Sequence, residues 1–250
     1  FSDERLIELL GFPMGNIGLP ATRTAAFSGV MLYRDFIFDG GYYPEGGMQN
    51  LADKLADLFV ENGGCILNGT TVDKISLEGG KVRGVACKGH LFNSDIVISN
   101  CDANETFLSL VGVDNLSGEL LGILKGGIPS TSAYLLYLGL KGDIGSIVKR
   151  CSTLWYFKDY RINDYYDTAF SGRLQFPPDY LLATFPSMHD KGMAPAGKSV
   201  VSLIVAAPFK NKDYWRETRK KLSDALIMSA DKVMPGIANM IEFTTDATPQ

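Results

Sequence analysis

The feature that most constrains this chain is a change of apolar period inside one short stretch. Met48, Leu51, Leu55, Leu58 and Phe59 recur at helical spacing and Asn62-Gly63-Gly64 follows as a stop, so a helix is expected over about 48–61. Just beyond it the residues turn to strand formers. Val72, Ile75 and Leu77 lead into Glu78-Gly79-Gly80-Lys81, which reads as a hairpin turn, and Val82, Val85 and Cys87 form the return strand. Lys88-Gly89 turns the chain again, and Ile96-Val97-Ile98 reads as an unbroken apolar strand covered on both faces. Asn100-Cys101-Asp102 then supplies an N-cap for a helix reaching Leu110. Helix, hairpin and apolar strand in this order point to a mixed α/β (α+β) fold.

The flanking segments differ in character. Up to about Gly40 the chain mixes a short helix, a Gly/Pro-rich loop from Gly11 to Pro20 and an apolar segment near Phe27–Leu32. From about Ser130, TSAYLLYLGLK, LLATFP and SVVSLIVAAP read as strands of a large, mostly antiparallel sheet. A long helix is expected over 213–233, started by Asp213 and stopped by Pro235-Gly236. Two interleaved units follow from this reading, a small β-rich one at 41–103 and a larger one built from 1–40 and 104–250.

Composition removes several function classes. The net charge of −4 lacks the basic face that nucleic acid requires, so no nucleic-acid partner is expected. Two histidines and four cysteines without a CxxC pair argue against a metal site and for a reduced, cytoplasmic setting. The longest apolar runs, Tyr134–Leu140 and Val200–Phe209, fall far short of the roughly 20 residues that span a bilayer. Any membrane contact is therefore expected to be peripheral. The motifs G-x-S-x-G, HExxH, Walker A and G-x-G-x-x-G are all absent. The nearest string, Gly15-Asn16-Ile17-Gly18, has the wrong spacing and no strand before it.

The order of segments carries more than any one of them. GYYPEGGMQNLADKLADLFVENGG, TTVDKISLEGGKVRGVACKG and SDIVISNCDANETFLSLVG resemble, in sequence and spacing, the central part of the phytoene desaturase and retinol saturase group of amine oxidase-like flavoproteins. STSAYLLYLGL, the Asp190…Ala194-Pro195-x-Gly197 string, Trp215 and Met234-Pro235-Gly236 continue the family order, so the resemblance covers nearly the whole chain. It implies an internal piece of an FAD-dependent oxidoreductase. Such an enzyme acts on carbon–carbon bonds of a polyisoprenoid, a carotenoid or a retinoid, by hydride transfer to or from flavin. The family's dinucleotide fingerprint would lie outside this stretch, so FAD is expected in the full-length protein and not on this piece alone. The direction of the redox step, the catalytic residues and the oligomeric state stay open. Two alternatives also stay open: a non-catalytic binding or scaffolding module that keeps the flavoprotein fold, or a flavin amine oxidase-like enzyme with another substrate.

The resemblance also nominates positions. Val72 would offer its backbone N–H and C=O to the adenine edge of FAD, and is otherwise a buried strand valine. Gly46 and Gly47 would lie near the cofactor, and are otherwise a strand-to-helix turn. Asn100, Cys101 and Asp102 would border the adenine pocket, and are otherwise a helix cap. Residues 155–185 hold ten of the 27 aromatics, with Trp155, Tyr156 and Phe157 as the expected wall for an apolar, lipid-like substrate or for membrane lipid. The competing account of the same stretch is core packing. His189, in a loop, reads as a solvated turn residue.

Overall fold

The computed structural model describes residues 2–128, 130–149 and 151–249. In chain order its helices are α1 (Glu4–Gly11), α2 (Ala26–Tyr33), α3 (Gly47–Glu61), α4 (Gly118–Gly126), α5 (Gly145–Val148), α6 (Ile162–Phe170), α7 (Lys212–Val233) and α8 (Ile237–Met240). Its strands are β1 (Lys74–Glu78), β2 (Lys81–Cys87), β3 (His90–Asn93), β4 (Ser132–Lys141), β5 (Thr153–Phe157), β6 (Tyr180–Thr184), β7 (Lys198–Ala207) and β8 (Ile241–Ala247). The chain divides into two compact units. One comprises the residues up to Leu55 with those from Ser130 onward, and the other begins at Ala56 and ends just before Ser130. These limits are offset from the 41–103 stretch marked out by the sequence.

The larger unit is built on a five-stranded antiparallel sheet in the order β5-β6-β7-β4-β8. Strands β4 and β7 alternate strictly in burial, as a sheet covered on one face requires. Tyr134, Leu136, Leu138 and Leu140 of β4, Leu181 and Ala183 of β6, and Val201, Leu203, Val205 and Ala207 of β7 form a fully enclosed layer. Helix α7 covers it with Trp215, Leu222, Leu226 and Ala230, and Met234 and Ile237 extend the seam. Each large apolar side chain so enclosed contributes about 1.5–3 kcal/mol. Helix α7 starts one residue earlier than the sequence suggests, because Asn211 caps it by accepting from Tyr214 N–H at 3.0 Å.

The smaller unit holds the expected hairpin. Strands β1 and β2 pair antiparallel across Gly79-Gly80, both in the left-handed region, and β3 adds a third strand. Gly84 is needed at the close approach of β2 to β3, since a Cβ there would meet Phe92 O at 1.9 Å.

One expectation is corrected. Ile96-Val97-Ile98 is not a ladder strand, and Ile96 and Ile98 are 76% and 92% exposed. The last rung to β2 is Ser94 N–H to Arg83 C=O, after which Ser94 Oγ turns the chain by bonding Ile96. Only Val97 faces inward, toward β1 and β2. Among the described residues no strand pairs with this run, and a run of this kind is buried only when neighbours cover both its faces. Also among the described residues, no helix is long and apolar enough to cross a membrane. No His/Cys/Asp/Glu cluster there could hold a metal.

Candidate functional site

Because α7 takes one face of the large sheet, the other face is what remains for a ligand. Register fixes what that face presents. Trp155 lies opposite Leu182, Leu182 opposite Ile204, and Ile204 opposite Leu135, so one apolar row crosses four strands. Two residues along each strand, Thr153, Thr184, Ser202, Tyr137 and Thr245 form a second row carrying a hydroxyl on every strand.

A cavity of about 250 Å³ opens on the apolar row, lined by Trp155, Leu182, Ile204 and Ala206 with Tyr166 and Tyr180. The Gly15–Gly18 loop closes it. This segment ends a 3-10 turn, and Thr131 Oγ donates to Gly18 C=O at 2.9 Å. A Cβ at Gly15 would fall 1.9 Å from the Tyr166 hydroxyl oxygen, so any larger residue there would displace the Tyr166 ring. A second cavity, of about 440 Å³, adjoins the hydroxyl row. Tyr42, Tyr43, Ser152, Thr153, Thr184 and His189 line it, and the Tyr43 and His189 rings lie 6.0 Å apart.

The aromatic stretch is mostly wall and core. Tyr165, Tyr166, Tyr180 and Phe185 are buried, whereas Tyr160 and Phe176 are exposed. Phe157 stacks on Trp155, Tyr165 and Tyr180, and Tyr165 stacks on Tyr180 at 4.9 Å. Within 155–185 the core-packing account holds for part of the stretch: helix α6, unseen in the sequence, turns Tyr165 and Tyr166 inward. Strand alternation also divides the nominated triad. Trp155 and Phe157 share the open face, while Tyr156 lies opposite Leu181 and packs against the core beneath α7. Burial pushes the Tyr166 and Tyr180 phenols above their usual range. Tyr165 is raised by burial and by Asp159, which accepts its hydroxyl at 3.0 Å. Asp159 is itself held down, to about 2, chiefly by the hydrogen bonds from Arg161.

The other nominated residues fall into two groups. Gly46 and Gly47 lie in the left-handed region at the start of α3, and a Cβ on Gly47 would sit 2.9 Å from Met193 Sδ. In the smaller unit, Val72 lies two residues before β1. Neither its N–H nor its C=O is hydrogen-bonded among the described residues, whereas the next N–H, of Asp73, donates to Ala86 C=O at 2.8 Å. Asp102 caps the following helical turn, accepting from Asn104 and Glu105 N–H at 2.8 and 3.2 Å. Cys101 joins Val97, Ser99, Ile75, Leu77 and Val82 around a cavity of about 340 Å³. Asn100 is exposed beside it.

The sequence did not reveal Leu182, Ile204, Ala206 or the Gly15–Gly18 loop as cavity lining. Their only signal is register, which links residues far apart in the chain.

No family profile matches the chain. A curated phytoene dehydrogenase from Streptomyces griseus is 27% identical over 258 residues, covering 99% of this chain and 48% of that protein. Prolycopene isomerase 2 from an Oncidium hybrid is 26% identical, covering 92% of this chain and 38% of its own length. Over nearly its whole length the chain is similar to these carotenoid-acting relatives. An oxidoreductase from Methanosarcina mazei shares its fold, with a TM-score of 0.71 over 98% of the chain at 19% identity. The chain spans less than half the length of these two curated relatives.

Proposed function

We propose that this chain supplies the substrate-binding part, and a portion of the cofactor part, of an FAD-dependent oxidoreductase. The enzyme would act on carbon–carbon bonds of a polyisoprenoid, a carotenoid or retinoid. The observation that carries this reading is the apolar row Trp155–Leu182–Ile204–Leu135 with its cavity, on the sheet face that α7 leaves open. The names of two relatives, a phytoene dehydrogenase and a prolycopene isomerase, support the carotenoid side of this reading.

In this reading 1–40 and 104–250 hold the substrate, and 41–103 belongs to the cofactor side. Val72, with an N–H and a C=O not otherwise engaged, fits the edge of an adenine, which needs one acceptor and one donor at fixed spacing. Asn100, Cys101 and Asp102 border that side, and Gly46 and Gly47 set the turn into α3. Bound FAD would accept or supply the hydride. The chain's own part is to orient an apolar molecule on the open face and keep water from it, work that Trp155, Leu182 and Ile204 are placed to do.

Peripheral lipid contact is part of the proposal. Its best support is the exposed apolar surface of α1, α2 and the turn after them, where Phe27 and Phe38 are 76% and 80% exposed. A groove lined by Ile7, Leu10, Met14, Val30 and Phe38 runs through it. The charge of −4 leaves little electrostatic attraction to anionic lipid, so vesicle binding should respond weakly to salt.

The test is expression of the full-length protein and its visible spectrum. Flavin absorbance that bleaches on incubation with a carotenoid or retinoid under anaerobic conditions is the expected result. No flavin absorbance would favour the binding-module alternative, and bleaching only with amines would favour the amine oxidase-like one. The isolated chain should bind FAD weakly. Contacts at Val72 offer two hydrogen bonds of about 1 kcal/mol each, against an association cost of several kcal/mol. Calorimetric binding at micromolar strength or tighter would refute that.

A further inference from the structure

The dipeptide Asn-Gly occurs twice in the chain, at Asn62-Gly63 and at Asn68-Gly69, and all four residues are exposed. Glycine after asparagine leaves the next backbone nitrogen unshielded by a Cβ, so that nitrogen can reach the asparagine Cγ. The structure separates the two copies. Asn62 ends α3, where its Nδ2 donates to Leu58 C=O at 2.7 Å and Gly63 N–H donates to Val60 C=O at 2.9 Å. The attacking nitrogen and the leaving amide are both tied to the helix end. At Asn68, among the described residues, neither the side-chain amide nor the Gly69 N–H makes a hydrogen bond. Instead the Thr70 hydroxyl donates to Asn68 C=O at 3.4 Å, which draws electron density from the peptide group that carries the Gly69 nitrogen. Gly69 is in the left-handed region, with open space where a Cβ would stand. The pair Asn93-Ser94, also with a small second residue, has its nitrogen engaged, since Ser94 N–H donates to Arg83 C=O at 3.0 Å.

We propose that the fold selects Asn68 as a site of self-modification by deamidation. Base removes the proton from the Gly69 nitrogen, which attacks Asn68 Cγ. The new C–N bond closes a five-membered succinimide, and Nδ2 leaves as ammonia after taking up a proton. Water then opens the ring at either carbonyl, giving aspartate or isoaspartate, so the net change is amide plus water to acid plus ammonia. No oxidant, metal or enzyme is needed. The product carries a new negative charge and, as isoaspartate, an extra methylene in the main chain. Both fall just upstream of the first rung of the hairpin, Asp73 N–H to Ala86 C=O.

The experiment incubates the native full-length protein at mildly acidic and mildly alkaline pH and follows its tryptic peptides by fragmentation mass spectrometry. Cleavage after Lys54 and Lys74 releases Asn62 and Asn68 on one peptide, so each is the internal reference for the other. Asn68 should convert at least about tenfold faster than Asn62, where two hydrogen bonds must open first, and conversion should quicken as pH rises. In urea, with the helix end gone, the two rates should come within about twofold of each other. Isoaspartyl carboxyl methyltransferase with a labelled methyl donor should label the aged parent, and an aged Asn68→Gln variant should lose most of that label. Conversion of Asn62 or Asn93 as fast as Asn68 in the native protein overturns the inference. So does a tenfold ratio that persists in urea, or the absence of conversion at Asn68. None of these results depends on a variant folding. Label retained in full by the aged Asn68→Gln protein overturns it as well.

Discussion

Tyr134 links the three elements that close the large core, which makes its hydroxyl a sensitive probe. The side chain is wholly buried on β4, and its ring stacks on Trp215 of α7 at 5.9 Å and 15°. Its hydroxyl donates to Asp246 Oδ2 of β8 at 3.0 Å, and Arg219 Nη2 donates to Asp246 Oδ1 at 2.6 Å. The Tyr134→Phe change keeps the ring, its stack and nearly all its apolar area. What is lost is one hydrogen bond to a carboxylate that is only 9% exposed, leaving Oδ2 without this donor. Hydrogen bonds to charged groups are worth about 1.5–3 kcal/mol, and Arg219 still serves the other oxygen, so the expected loss is about 2 kcal/mol. The assay is convenient because both tryptophans of the chain, Trp155 and Trp215, lie in the larger unit. Guanidinium unfolding followed by tryptophan emission therefore reports that unit alone. Burial, then Asp246, raises the Tyr134 phenol above its usual range. A raised folded pKa gives stability that is complete below the unfolded value of about 10 and is lost as pH rises through the folded value. The parent should thus weaken above about pH 10, and the variant less steeply. A change under about 0.5 kcal/mol, with an unaltered alkaline slope, would refute the role assigned to this hydroxyl.

Two further substitutions follow from the structure. Asp159 has a depressed carboxyl, so its contribution is present above the unfolded value and lost as pH falls from about 4 to about 2; Asp159→Asn should remove that part of the acid dependence. The pair with Arg161 is largely exposed, so the cost at neutral pH should stay within about 1 kcal/mol, read from acid titrations of tryptophan emission. Gly84→Ala places a Cβ against Phe92 O, which neither strand can avoid without breaking the β2–β3 pairing. Amide exchange should quicken across β3 and the end of β2 while the large sheet is unchanged; protection equal to the parent's would refute the close approach.

Much of the fold is legible from local signals. Asn62-Gly63-Gly64 ends α3 where the periodicity says it should, Gly79-Gly80 turns the hairpin, and the apolar runs around Leu136 and Leu203 are strands. Each depends only on residues within a few positions. Ile96–Ile98 misleads because an apolar run states that a segment could be covered and not what covers it. The aromatic stretch misleads for a different reason. Tyr165 and Tyr166 count only as aromatics of the stretch in the sequence, yet they lie on α6, where their hydroxyl and ring partners Asp159 and Tyr180 are available only after the chain has turned. Of the candidate site, Trp155 was visible as an aromatic, but its neighbours Leu182 and Ile204 belong to strands whose pairing is a long-range property.

The two faces of the large sheet differ in burial residue by residue. On β7, Val201, Leu203 and Val205 point to α7 and are almost fully enclosed, while Val200, Ser202, Ile204 and Ala206 alternate with them on the open face. Truncating an enclosed leucine such as Leu203 leaves a cavity that neighbours on three strands and a helix cannot fill, at a cost of about 2–5 kcal/mol. The half-buried Ile204 can lose atoms with less strain, because its face is already open to a cavity. The open face can therefore change from an apolar row to a hydroxyl row within two residues, while the layer beneath stays leucine and valine throughout. Packing thus constrains every second position of these strands, and the positions between are free to carry a different row without disturbing the core.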